Sequence, residues 1–325
     1  MYHSELNKEE TVCGIDIGTS NSTAVLYDGK TMKIIHHHQK VSLPSLVALK
    51  KDGKCLIGEP AKSFLQSQKS CCYETKRFFG MTYDEYKQKN YSYPFNVIKG
   101  ENDMVELELE APNGEKKRIK PQEVSKMIVE EFIESSKKEY GIEPKNIVVT
   151  CPVEFTIDKR DMLKELHPKI IGVTSEPKAA ALSYLSINRI NNDVKLLLFD
   201  FGAGTLDISI VKGNCENITE MEVLKNVGKM LGGANIDICF GEYIDSRLKH
   251  DGININMHRI IQKCEIAKKD LSLNPSTVIN FEPENLEIFI SKEEFIQLVG
   301  ENPEDVFGGD WENEVVELIK NDIGN

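Results

Sequence analysis

The chain has 325 residues, roughly twice a typical domain length, so two domains or one two-lobed domain is expected. Hydrophobic residues make up 40% and charged residues 28%, an ordinary globular balance with enough apolar material for a sizeable core. With 40 Lys and Arg against 52 Asp and Glu, the formal charge is -12 and no dense basic patch offsets it, which argues against nucleic acid or a membrane surface as a main partner. No stretch reaches the ~20 apolar residues that span a bilayer. The polar, acidic N-terminus (residues 1–10) is read as a flexible segment, neither a signal nor a transit peptide.

Elements follow in chain order. Thr11–Ile17 and Ser22–Tyr27 are short β-prone runs around a turn of Gly, Thr, Ser and Asn, and Asp28-Gly29 turns the chain into Met32–His37. Met104–Glu110 alternates apolar and acidic residues, and Asn113-Gly114 turns it into Lys116–Lys120. Pro121 opens a helix with Val124, Met127, Ile128 and Phe132 at helical spacing, closed by Gly141. Asn146–Cys151 is a strand of the buried type. Thr156 caps a helix through Leu166, and Pro177 starts another through Leu185.

A polar stretch, Ser186–Asp193, marks the boundary between lobe I (11–188) and lobe II (189–325). Beyond it come strands at Lys195–Phe199, Leu206–Val211 and about Glu220–Val227, then helices over Asn235–Leu248 and Asn256–Leu271. Thr277–Phe281 and Leu286–Ile290 form a hairpin. Ser291 and Glu294 make a capping box, and Glu312–Ile319 is a last helix. The fold class is α/β.

The eight cysteines are scattered without metal-ligand spacing and read as buried free thiols of a reducing compartment, hence a cytoplasmic location. The vicinal Cys71-Cys72 pair is a candidate for redox sensitivity, with ordinary packing the better reading. His36, His37 and His38 end a strand-like run and are expected in a solvated turn rather than on a metal.

Two segments carry chemistry. Gly14–Ser22 and Phe199–Asp207 each combine an apolar strand, an Asp at its end, a turn of Gly and hydroxyl residues, and a returning strand. Glycine lets the backbone approach an anion and aim successive N–H groups at it. Asp16 and Asp200 beside a phosphate imply a divalent cation, Mg²⁺, between them. Either segment alone reads equally as a tight hairpin with Asp and Gly in turn roles. Two copies, each opening one half of the chain, point to phosphate hairpins that clamp one nucleotide.

These segments resemble the two phosphate motifs of the actin-like ATPases, and specifically of the 70-kDa heat-shock chaperone family. The resemblance continues through Glu74–Gly80, Val148–Arg160, Ser175–Leu185, Leu231–Asp237 and Lys263–Ser272, in order, and covers about Val12–Val299. It implies a two-lobed actin-like ATPase fold with a duplicated ribonuclease-H-like core, ATP or ADP in the cleft, and Mg²⁺. Gly18, Thr19, Ser20, Asn21, Gly202, Ala203, Gly204, Gly232 and Gly233 then fall on the phosphates, with Asp16 and Asp200 toward the metal. Lys76, Glu176, Thr205 and Asp207 fall on catalytic positions, and Glu265, Lys268, Lys269 and Ser272 on the adenosine side. Pro152 and Arg160 match a pair that relays nucleotide state.

Departures from the family pattern are Asn21, Ala203 for the middle Gly, Lys178 for Thr, Lys269 for an adenine-stacking Arg, and a shorter segment between Arg160 and Glu176. After Val299 the family's Gly-Gly-Ser-Thr-Arg-Ile-Pro landmark and peptide-binding domain are absent, so lobe II is expected to be incomplete. The resemblance therefore implies either a slow ATPase that drives protein folding or a non-hydrolysing module that serves co-chaperones or ribosome-associated factors. A sugar or metabolite kinase of the same superfamily fits the motifs less well.

Overall fold

A computed structural model of the protein describes residues 11–65, 69–89, 93–229, 231–282, 284–301 and 320. The N-terminal segment 1–10 and the helix expected over 312–319 lie outside the described residues. By its contacts the chain divides into two units, Met1–Asn188 and Arg189–Asn325.

In the first unit β1 (Val12–Asp16) and β2 (Asn21–Tyr27) form a hairpin with Asp16 opposite Thr23. β3 (Met32–Ile34) and β4 (Ser42–Pro44) both pair with β2. β5 (Leu46–Leu49), β6 (Cys55–Ile57) and β7 (Cys71–Tyr73) make a separate sheet centred on β5. A Thr82–Glu85 capping box starts α1 (Tyr83–Lys87), and a meander of β8 (Asn96–Lys99), β9 (Val105–Glu110) and β10 (Lys116–Ile119) leads to α2 (Pro121–Tyr140). Gly141, at φ 69°, ends α2 in the left-handed conformation that glycine adopts without a Cβ penalty.

β11 (Asn146–Cys151), α3 (Ile157–Lys164), β12 (Ile170–Ser175) and α4 (Glu176–Ile187) complete the unit. β1, β11 and β12 run parallel, in the sheet order β12-β11-β1-β2-β3. Alternate residues Cys13, Ile15, Ala24, Leu26, Ile147 and Val149 are buried with Val124, Ile128 and Phe132 of α2 in one core. Each large side chain withdrawn from water there contributes about 1.5–3 kcal/mol.

Three expectations fail in this unit. β3 stops at Ile34, and His37 is buried rather than solvated: its Nδ1 lies 3.2 Å from Glu131, and its Nε2 accepts the Glu59 N–H at 3.4 Å. His36 instead pairs with Glu139 at 2.7 Å, so the histidine run docks onto α2. α3 also ends at Lys164, two residues before Leu166, although Thr156 caps it as expected.

The second unit opens with β13 (Val194–Phe201), β14 (Leu206–Gly213) and β15 (Glu222–Lys229), antiparallel with β13 at one edge. α5 (Gly233–His250), α6 (Met257–Leu273), β16 (Ser276–Phe281), β17 (Leu286–Ser291) and α7 (Lys292–Glu301) follow. Phe240, Ile244, Ile260, Cys264, Leu271, Phe281 and Ile290 form its core. The capping box expected at Ser291 is half made. Ser291 Oγ accepts the Glu294 N–H, but the Glu294 carboxylate accepts from Tyr243 and Arg247 of α5.

All eight cysteines are free, and Cys13, Cys71, Cys72, Cys151 and Cys264 are buried. Burial pushes the Cys71 thiol up to about 11 and the Cys72 thiol still higher, so neither forms the reactive thiolate readily. No helix among the described residues is long and apolar enough to cross a membrane.

Candidate functional site

Three parallel strand ends of the first unit supply its polar cluster, the position where open α/β sheets present ligands. Asp16 ends β1, Thr150 lies one residue from the end of β11, and Ser175 passes from β12 into α4 with Glu176 as its first residue. Thr150 Oγ1 donates to Asp16 Oδ1 at 2.5 Å and fixes that carboxylate. Lys76 arrives from a 3-10 turn, Thr75–Phe78, anchored by the buried Phe78. Its ammonium meets Glu176 Oε1 at 2.5 Å, with side chains only 13% and 26% exposed, so the pair is partly shielded from water. The two residues are a hundred positions apart in sequence.

The loop from Asp16 to Asn21 is cross-braced. Ser45 Oγ donates to the Gly18 carbonyl at 2.7 Å and lies 2.9 Å from Ser22 Oγ, while the Ser45 N–H reaches the Ser20 carbonyl at 2.8 Å. A Cβ on Gly18 would strike the Asn21 carbonyl, so the position requires glycine by contact. Thr19 and Ser20 are half-buried in this turn and Asn21 opens β2, exposed. Lys178 occupies the first turn of α4, half-buried. Arg160 donates to the carbonyls of Phe155 and Val153, at 2.9 and 3.2 Å, and holds the loop that follows Pro152.

In the second unit Asp200 of β13 lies directly opposite Asp207 of β14. Like charges in cross-strand register repel, which favours a cation or other donors around them. Between them the turn of Gly202, Ala203, Gly204 and Thr205 is closed by the Gly202 N–H on the Thr205 carbonyl at 2.8 Å. The first amides of α5 are drawn to this turn: the Gly233 N–H donates to the Gly202 carbonyl at 3.0 Å, and the Ala234 N–H to the Ala203 carbonyl at 2.8 Å. A Cβ on Gly232 would lie 2.5 Å from the Ala203 backbone, so the contact depends on glycine.

On α6, Glu265, Lys268, Lys269 and Ser272 share one face, as their spacing requires. Lys269 pairs with Glu265 at 2.5 Å on the surface. Lys268 reaches inward to Asp237 of α5 at 2.7 Å and to the Gly233 carbonyl at 2.8 Å. Burial pushes the Asp237 carboxyl up and outweighs the opposing pull of the Lys268 ammonium.

The structure thus brings together Lys76 with Glu176, Asp16 with the first turn, Asp200 with Asp207, and Lys268 with the Gly233 turn. Reading the sequence missed Thr150, Ser45 and Asp237. Thr150 had a usable signal, a hydroxyl near the end of an otherwise apolar strand. Asp237 closes the Leu231–Asp237 segment that carries the resemblance, without a role read for it, and Ser45 had no signal.

Mixed α/β units whose opening hairpins carry Asp, Gly and hydroxyl residues define the actin-like ATPase class. Residues 12–300 match the family model described as Hsp70 protein, and the chain belongs to that family. It is similar to Chaperone protein DnaK 3 of a Synechococcus species, with 28% identity over 309 residues that cover 87% of this chain and 46% of that protein. The chain therefore spans about half the length of that curated relative.

Proposed function

We propose that the chain binds Mg-ATP through its Gly-rich hairpins and hydrolyses it slowly, as the nucleotide-driven part of a chaperone that folds proteins. The observation that carries this reading is the Lys76–Glu176 pair, with Glu176 following the strand β12 of the sheet whose β1 ends in Asp16, in a chain of the Hsp70 family. An ammonium held by a carboxylate in a partly shielded site can orient a water and meet the charge that develops on a transferred phosphoryl group. Thr205 would add a hydroxyl donor, and Asp207 a carboxylate. Gly18, Thr19, Ser20, Asn21, Gly202, Ala203, Gly204, Gly232 and Gly233 would line the phosphates. Glu265, Lys268, Lys269 and Ser272 would face the adenosine.

The metal reading is fitted by donor chemistry. Asp16 and Asp200 offer hard carboxylate oxygens, which suit Mg²⁺, and the opposed Asp200 and Asp207 gain from a cation. When bound, the ion would neutralise phosphate charge. Buried free thiols suit a reducing compartment such as the cytoplasm, and co-chaperones are the expected protein partners.

The test is ATP turnover by the chain and by Lys76→Ala. A fall in kcat of about 10²–10³, the usual effect of removing one charge-stabilising donor, is expected. Equal turnover would remove Lys76 from the reaction.

One observation favours a non-hydrolysing interaction module instead. The Gly233 and Ala234 amides are spent on the second turn, and Lys268 is spent on Asp237 and Gly233, which leaves fewer donors for a nucleotide. Binding of ATP with no turnover above background would decide for that reading.

A further inference from the structure

Lys268 is placed differently from its neighbour on the α6 face. The Lys269 ammonium stays at the surface with Glu265, whereas the Lys268 side chain is 19% exposed and meets an Asp237 side chain that is 10% exposed. The Lys268 ammonium donates to the Gly233 carbonyl at 2.8 Å and lies 2.7 Å from Asp237 Oδ1. An ammonium has three donors and no acceptor, so two of the three are engaged within the protein. It packs so closely that a Cβ on Gly233 would stand 3.1 Å from it.

What this ammonium holds leads straight to the second Gly-rich turn. The carbonyl it bonds and the N–H of Ala234 belong to one peptide unit, and that N–H donates to the Ala203 carbonyl at 2.8 Å. The preceding N–H, of Gly233, donates to the Gly202 carbonyl at 3.0 Å, and the Gly202 N–H closes the turn on Thr205. A charged donor on a carbonyl makes a stronger bond than a neutral one, and it polarises the peptide so that its N–H donates more strongly too. Asp237 stands four residues after Gly233 on α5, on the same face, and holds the ammonium over that first turn.

We propose that Lys268, oriented by Asp237, is a positioning residue for the phosphate site. It braces the Gly233–Ala234 peptide, and through it the turn from Gly202 to Thr205, without touching the nucleotide. The proposal rests on the nucleotide-binding reading above and, within it, moves Lys268 from the adenosine to the support of the phosphates.

The experiment compares the full chain with Asp237→Asn and with the double variant Lys268→Met, Asp237→Leu, which leaves neither charge of the pair buried alone. Calorimetric affinity is measured for Mg-ATP and for Mg-tripolyphosphate, which has the phosphates and no nucleoside. Thermal melting without ligand shows that each variant is folded at the temperature of the titration. The double variant is expected to bind both ligands about tenfold more weakly, the effect of one charge-assisted hydrogen bond, with the ratio of the two affinities held within about twofold. Asp237→Asn should bind both about threefold more weakly, because the ammonium is less firmly held.

A double variant that loses affinity for Mg-ATP and keeps it for tripolyphosphate overturns the proposal, since Lys268 then contacts the nucleoside. Tighter binding by Asp237→Asn overturns it as well, because an ammonium freed from its carboxylate is then itself the ligand. Unchanged affinities in the folded variants also overturn it, and reduce the pair to packing of α6 on α5. If the double variant does not fold, the threefold loss in Asp237→Asn, or its absence, decides. A wild-type chain that binds Mg-ATP but no tripolyphosphate overturns this role and leaves nucleotide binding standing. A chain that binds neither overturns both readings at once.

Discussion

In the hairpin after Asp16 the chain is held from outside, by Thr150 on the carboxylate, by Ser45 on the Gly18 and Ser20 backbone, and by Ser22 on Ser45. In the hairpin after Asp200 the turn is held by its own Gly202–Thr205 bond and by the first amides of α5. The supporting strands differ in the same sense. β1 lies inside its sheet, between β2 and β11, with Cys13 and Ile15 buried. Among the described residues β13 is an edge strand, and its Leu197, Phe199 and Phe201 are 40%, 52% and 39% exposed. One sequence pattern therefore rests on two foundations, a side-chain brace within a packed sheet and a backbone brace from a helix. The first should tolerate substitution less well.

Gly18→Ala should break the first hairpin most severely, because its Cβ meets the Asn21 carbonyl and the backbone itself must move. A loss of about 3 kcal/mol is expected, at the upper end for overpacking, read from urea unfolding of the first unit's transition. Thr150→Val keeps the shape and removes the charge-assisted bond to Asp16. It should cost about 1.5 kcal/mol in the same measurement. Gly202→Ala is the counterpart in the second hairpin. Its Cβ would stand 3.3 Å from the Thr205 carbonyl, a contact relieved by a few tenths of an ångström, so the loss should stay under about 1 kcal/mol. If Gly202→Ala costs as much as Gly18→Ala, the contrast between the two foundations is wrong.

Much of this was legible in the sequence, for reasons that differ by element. α2 announced itself through Pro121, its helical apolar spacing and Gly141, three local signals that agree. The two Gly-rich hairpins were legible because glycine, hydroxyl and Asp residues sit together in the chain. β5, β6 and β7 were missed because strands of three or four residues are too short to show a period. β12 was missed because Gly172 and Ser175 interrupt its apolar run, and its place is set by pairing with β11.

The burial of His37 was illegible as well, since it depends on Glu131 nearly a hundred residues away and on the backbone of Glu59. The Ser291–Glu294 box was misread for the opposite reason. The local signal was present, but Tyr243 and Arg247 compete for the Glu294 carboxylate. At the site, the roles of Lys76 and Glu176 came from resemblance alone, because nothing local in either segment announces a partner a hundred residues off.

The central proposal is that the Gly-rich hairpins bind a Mg-nucleotide, and calorimetric titration of the chain with ATP, in Mg²⁺ and then in EDTA, tests it most directly. Each hairpin carries carboxylates, Asp16 in the first and the opposed Asp200 and Asp207 in the second, that would repel a bare triphosphate, so affinity should fall steeply when the divalent ion is removed. The exposed Lys269, already paired with Glu265, stacks poorly on a base, so GTP in place of ATP should change affinity by about tenfold or less, roughly 1.4 kcal/mol. Heat of binding that is present in Mg²⁺ and lost in EDTA is the predicted result. No binding in Mg²⁺, or tight ATP-selective binding indifferent to EDTA, would contradict it.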